Sequence, residues 1–341
     1  MAQLVYTEEE LMQSHSYARP QVEAGMRLHG GFDSDDRYIP PRLLHRGPAI
    51  EAWTEALRSR GGELLAADSS LLAGIRYPST AQLKFLLREG LGQSFWNTLT
   101  ITGKIEARGQ ILADMTFPEI GSAVVEDVSQ MAVGHLNKGL LKAHGIDEGG
   151  EPGKGVGGHD TMWFALRDLA YGETDFPEPE VPGNIGRPDT AELAFPGIAA
   201  GIERYIYFLL NLLLIEFRAE RGFSMTQDLL RDPELFTDRR AQAEQAAEIV
   251  GRIRTDEEVH VSSLRLYLGE LRTLDFRTDD GGHIHGDEIV DSLWTGIVHW
   301  ATIEQPKLQA EQQRALYVKR ISDHPDAERL LREFHNFEER T

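Results

Sequence analysis

Glu257 and His260 stand three residues apart in the run Asp256-Glu257-Glu258-Val259-His260. That spacing sets a carboxylate and an imidazole on adjacent turns of one helix face. On a wheel of about 100° per residue, both fall against Val250, Ile253, Leu264, Leu268 and Leu271, whereas Glu258 and Arg265 lie towards the edge. Acid and imidazole in an apolar interior cost several kcal/mol unless compensated. A divalent cation compensates both, and a carboxylate–imidazole donor set suits iron or manganese. The plainer alternative is a solvated Glu257 beside a satisfied core histidine.

A second buried acid is expected in the apolar segment 198–221. With Arg204 and Arg218 taken as its solvent side, Glu216 falls on the side of Tyr205, Leu209 and Leu213, aimed at a core. Glu203, on the flank of the same helix, is its substitute. The competing account of Glu216 is a buried acid paired with an arginine.

Helices must carry these groups, and the rest of the chain reads accordingly. Leu83, Leu86, Leu87 and Leu91 follow helical spacing behind a cap at Ser79 or Thr80. Residues 97–114 alternate briefly like a strand, but helix is favoured by helical neighbours. A further helix is expected from Pro118 to about His144, a short one over 160–170, and long ones over 198–221, 237–270 and 287–305, the last ended or kinked by Pro306. Residues 1–78 read as an extension packed on the core, with short helical pieces at 8–13, 49–58 and 62–67, and 79–341 as a helical domain with long loops over 145–197. The fold class is mainly α, centred on four long helices.

Composition narrows the function classes. The chain has 341 residues, a net charge of −20 and no cysteine. Disulfides, thiol nucleophiles and thiolate metal sites are therefore excluded, leaving 55 acids and 12 histidines as metal donors. The charge opposes nucleic acid and anionic lipid as partners. The start lacks the pattern of a secretory signal, and the apolar run 205–215 is too short to span a bilayer. A soluble cytoplasmic protein is expected.

The run 253–260 resembles the last metal-binding helix of ferritin-like diiron carboxylate proteins, particularly the D-E-x-x-H stretch of ribonucleotide reductase small subunits. Such proteins build a four-helix bundle in which the first and third helices each give a carboxylate and the second and fourth each give E-x-x-H. The resemblance implies Glu106, His135, Glu216, Glu257 and His260 as ligands, with Glu126 as substitute for Glu106. The pattern departs at the second helix, where Ala132 stands in place of the expected glutamate three residues before His135. The implied function is a non-haem oxidoreductase or oxygenase holding two iron ions, or manganese, and using dioxygen on a small organic substrate with an external electron donor. A helical scaffold with a degenerate metal site, motivated by Ala132, and ferritin-like iron handling are the alternatives. The apolar excess of 198–221 also suits burial against a second copy in a homodimer.

Weaker motifs fail their context tests. The segment 153–158 matches G-x-G-x-x-G literally, but no strand precedes it, so a dinucleotide fold is not indicated. Its end, His159-Asp160, is placed to close over a pocket. His283 and His285 form an H-x-H in a polar turn, which reads more simply as the approach to a helix capped by Asp287. No nucleophile elbow is present.

Overall fold

The computed structural model describes residues 3–68, 71, 77–188 and 192–337. It is mainly helical. In chain order the elements are α1 (Glu8–Leu11), β1 (Arg19–Glu23), β2 (Met26–Phe32), β3 (Tyr38–Ile39), α2 (Arg46–Ser59), α3 (Thr80–Arg88), α4 (Gln93–Gly109), α5 (Ile111–Asp114), α6 (Ile120–Ala123), α7 (Leu141–Gly149) and α8 (His159–Tyr171). There follow α9 (Ala200–Arg231), α10 (Arg240–Leu271), β4 (Asp275–Arg277), β5 (His283–His285), α11 (Gly286–His299), α12 (Gln305–Ser322) and α13 (Ala327–Asn336).

The organising element is the antiparallel hairpin of α9 and α10, each 32 residues long. Gln227 donates to the Ala247 carbonyl and Arg254 Nε donates to Glu220, which fixes the register. That register brings Glu216 and Glu257, each near the midpoint of its helix, to the same height. Apolar side chains fill the hairpin on both sides of this level. One cluster joins Leu209 and Leu213 of α9 to Leu264 and Leu268 of α10. The other joins Leu229 and Leu230 to Ala246 and Ile253, with Leu99 of α4 and Leu166 of α8. The acids and imidazoles therefore form a polar layer between two apolar ones.

The residues before Ser79 belong to the same core. Trp53 of α2 is fully buried, packs tilted against His135 with ring centroids 4.9 Å apart, and donates its indole N–H to the Leu4 carbonyl. The β1–β2–β3 sheet was not expected from the sequence. Its first turn is made by Ala24 and Gly25, both at positive φ (48° and 79°), the geometry of a tight hairpin. Residues 62–67 form no helix; they run beside α10, where Leu65 N donates to the Arg265 carbonyl.

Ser79 caps α3 with a capping box to Gln82, and α4 is helix rather than strand, as its helical neighbours indicated. The helix expected over 118–144 is corrected. Only Ile120–Ala123 is helical at its start; Val124 pairs with Phe276, and the chain then passes through a 3-10 turn at Ala132–His135 and a wide turn at Leu136–Leu140 before α7. Paired β-branched residues at 124–125 and glycines at 121, 134 and 139 oppose a continuous helix here, and Gly139 sits at φ 109°. The α9 helix runs ten residues past the expected end at 221, to Arg231 before Asp232-Pro233, because its apolar period continues until a proline stops it. Between α11 and α12 the helix loosens into a wide turn at Trp300–Glu304, with Pro306 in the first turn of α12. No described helix is long and apolar enough to cross a membrane.

Truncating Trp53 to alanine removes a fully buried indole, a change that costs about 3–5 kcal/mol. Because its ring is shared between the N-terminal stretch and the helical core, a single cooperative transition should move to lower temperature by circular dichroism. A separate early transition, with the remainder melting unchanged, would show the two parts to be independent.

Candidate metal centre

Four carboxylates and three imidazoles converge in the polar layer, supplied by five helices. Glu106 comes from α4, His144 and Glu148 from α7, His159 from α8, Glu216 from α9, and Glu257 and His260 from α10. His144, Glu148, Glu216 and His260 present ligand atoms within 4.8 Å of one another, and so do Glu148, His159, Glu257 and His260. Glu148 and His260 thus belong to both groups. His144 Nε2 lies 2.9 Å from Glu216, His260 Nδ1 lies 3.0 Å from Glu257 and 3.1 Å from Glu148, and His159 Nδ1 lies 3.1 Å from Glu257. The His144 and His260 rings stack at 3.9 Å. Glu106 reaches Glu148 through a carboxyl–carboxylate hydrogen bond.

The outward-facing nitrogens of His260 and His159 are each held by a buried acid. His260 Nε2–H donates to Asp147 at 3.2 Å, and Asp147 is itself clamped by Arg42 (Nε, 2.8 Å) and Arg46 (2.6 Å). His159 Nε2–H donates to Asp256 at 3.2 Å, and Asp256 also takes His29 at 3.0 Å and the Tyr38 hydroxyl at 2.9 Å. Acids behind imidazoles fix ring orientation and raise ligand basicity. The N-terminal sheet supplies two of these outer groups. Gly30, at φ 68°, lies directly beneath the Tyr38 ring, so a side chain there would displace it.

The segment 150–158 sets His159. Gly157 joins β2 edgewise: His29 N donates to the Gly157 carbonyl at 2.8 Å and Gly157 N to the Arg27 carbonyl at 3.0 Å. Gly158 passes against the end of α7, where a Cβ would come within 2.6 Å of the Glu148 carbonyl and 2.7 Å of the Asp147 carbonyl. This close crossing turns the chain from Glu148 straight into α8, with His159 as its first residue.

Electrostatics divides the cluster. Burial, together with Glu148, drives the Glu106 carboxyl well above the ordinary range, and burial with Glu257 does the same to Glu216. The imidazoles hold Glu148 well below its ordinary value and Glu257 at about 2, against a burial cost that opposes both. His159 and His260 are raised by those same carboxylates, while burial and the neighbouring His260 lower His144 to about 3. Without a cation, protons on Glu106, Glu216, His159 and His260 therefore neutralise the layer. These protons belong to the cluster as a unit.

Of the residues expected from the sequence, Glu106, Glu216, Glu257 and His260 are brought together. His135 is not: it lies against Trp53, its Nδ1–H donates to the Met131 carbonyl at 2.7 Å, and its Nε2 accepts from Tyr6 N. The expectation failed because no single helix spans 118–144. Glu126 accepts from Asp275 N, and Glu203 accepts from Ala194 N and Phe195 N, so both serve loops. Sequence reasoning missed Glu148 and His159 and gave His144 no role; the signal was the i, i+4 pair His144/Glu148, hidden by the glycines that follow. His283 and His285 are exposed, and His285 pairs with Asp287 at 2.7 Å. Comparison of the chain with protein-family models, with curated proteins and with solved structures returns no match.

Gly158→Ala should lift the start of α8 away from α7 and separate His159 from Glu148. Metal affinity should fall by about 10-fold or more in equilibrium dialysis, with helix content retained. Unchanged affinity would show that the crossing does not set the ligand geometry.

Proposed function

We propose that the protein is a metal-dependent oxidoreductase of the ferritin-like diiron carboxylate kind. The supporting observation is the pair of four-donor groups sharing Glu148 and His260 in a dry layer between two apolar cores. Buried oxygens Glu148 Oε1 and Glu257 Oε1 lack a hydrogen bond of good geometry although imidazoles lie beside them. Such orphaned acceptors fit a cation better than they fit a purely structural network. Arg42 and Arg46 are spent on Asp147, so no described arginine or lysine neutralises the central carboxylates.

One ion would be held by His144, Glu148, Glu216 and His260, and a second by Glu148, His159 and Glu257, with Glu106 beside Glu148. Oxygen and nitrogen donors of this mixture suit iron or manganese. When bound, such a pair supplies redox chemistry with dioxygen towards an organic substrate, with electrons from an external donor. The chain's own part is to exclude water with the flanking cores, to orient the imidazoles through Asp147 and Asp256, and to hold protons on Glu106 and Glu216. Charge makes the stoichiometry consistent: four ionised carboxylates balance two divalent ions, as four protons balance them now. The scaffold alternative loses its motive, because Ala132 lies in a 3-10 turn outside the cluster.

Protein from iron-supplemented cells should carry about two metal ions per chain by elemental analysis, and the ferrous form should consume dioxygen. Glu257→Ala and Glu148→Ala should abolish both; His285→Ala, at the surface, should change neither. A metal content near zero in the wild type, with no rise in melting temperature on adding Fe(II), would sink the proposal.

Binding should also release protons. Loading each divalent ion displaces about two, so apparent affinity should fall about 100-fold for each pH unit of acidification. Titration calorimetry in buffers of different ionisation enthalpy reads the proton count directly. A count near zero would mean that the metal binds elsewhere.

A further inference from the structure

A cavity of about 450 Å³ lies between α4, α9 and α12, and Glu106 is part of its wall. Leu214, Ile215 and Ile105 make much of its lining, and Trp163 contributes an indole N–H that has no hydrogen-bond partner. Two cations also face it, Arg218 and Arg221, both half-buried on α9. The Arg218 guanidinium donates to the neutral amide of Gln305 at 3.2 Å. Sequence periodicity had assigned Arg218 to the solvent side of α9. In a chain of net charge −20, a half-buried arginine with no carboxylate on it among the described residues is the reverse of the general field. Gly222, which follows Arg221 and stands one turn from Arg218, also lines the cavity, and a Cβ there would meet nothing within 4 Å. The cavity therefore continues to the helix backbone beside the guanidinium groups.

We propose that this cavity binds an organic carboxylate with an elongated apolar body, its head on Arg218 and its body directed along the apolar wall towards Glu106. Arginine forks match a carboxylate with paired, charge-assisted hydrogen bonds. The volume falls in the range of small-molecule sites. At roughly 30 Å³ for each water-sized volume it holds about fifteen non-hydrogen atoms, the bulk of a twelve-carbon acid. This assignment names a substrate class for the metal centre and rests on that reading only for the chemistry at Glu106. Binding itself uses residues outside the metal cluster.

The test uses full-length, chelator-treated protein and titration calorimetry with dodecanoate, dodecanol and dodecyl phosphate below their micelle concentrations. Dodecanoate should bind saturably at one per chain, and dodecanol about tenfold or more weakly, as expected for loss of charge-assisted hydrogen bonds. R218Q should weaken dodecanoate by a similar factor and leave dodecanol unchanged. Gly222→Leu should block dodecanoate by filling the cavity; replacing a helical glycine favours folding, so its melting temperature should not fall. Dodecanol binding as tightly as dodecanoate, dodecanoate indifferent to R218Q and Gly222→Leu, or binding that requires added metal would overturn the assignment. Preference for dodecyl phosphate would overturn the carboxylate class. Dodecanoate binding by a chain that carries no metal when purified from iron-supplemented cells, and whose melting temperature does not rise on adding Fe(II), would leave the cavity assigned and remove the redox reading alone.

Discussion

Carboxylates kept from water at the middle of a helical hairpin constrain everything around them. Four acids and three imidazoles share one layer, and charges of one sign so close together persist only when neutralised. The basic side chains nearby are committed outward: Arg42 and Arg46 hold Asp147, which in turn holds His260. Neutralisation within the layer falls to protons or to metal ions. Protons on Glu106, Glu216, His159 and His260 give the layer zero net charge, and two divalent ions on four ionised carboxylates would give the same.

The layer also explains how the hairpin is built. Glu216 and Glu257 meet because α9 and α10 are of equal length and pair symmetrically about their midpoints. The apolar clusters above and below are separate because this polar layer divides them. A bundle of four uninterrupted helices would take the remaining ligands from one further helix. Here α7 and α8 divide that work, and the glycine-rich crossing at 150–158 restores His159 to the height of Glu148. The N-terminal sheet then braces the crossing through Gly157 and places His29 and Tyr38 on Asp256.

What was legible in the sequence follows from this construction. Glu106, Glu216, Glu257 and His260 lie on long regular helices, where a 3.6-residue period tells which face is buried. His144, Glu148 and His159 surround a break, and no period crosses a break. His135 was misassigned for the same reason, since a helix was expected to run through Val124, Gly134 and Gly139. The mainly helical class, the capped start of α3 and the extent of α10 were readable from caps and apolar spacing. The small N-terminal sheet was not, because its turn depends on Ala24 adopting positive φ. Arg218 shows the limit of wheel arguments: periodicity separates buried from exposed faces, but does not distinguish bulk solvent from a cavity that another helix closes.

Access to the layer is one-sided, and this gives the cluster a direction. On the side of the N-terminal sheet, His29 and His159 are buried and both bonded to the buried Asp256, which closes that side among the described residues. On the opposite side Glu106 lines the cavity between α4, α9 and α12, the only cluster member among the described residues to do so. Glu106 is also a group that burial and Glu148 force to carry a proton in the metal-free layer. The residue between cavity and cluster is therefore one whose charge would change if metal displaced the layer's protons. Its carboxyl would be neutral beside Glu148 without metal and ionised with it. An apolar molecule in the cavity would then meet either a neutral acid or a carboxylate at the inner end, according to what neutralises the layer behind it.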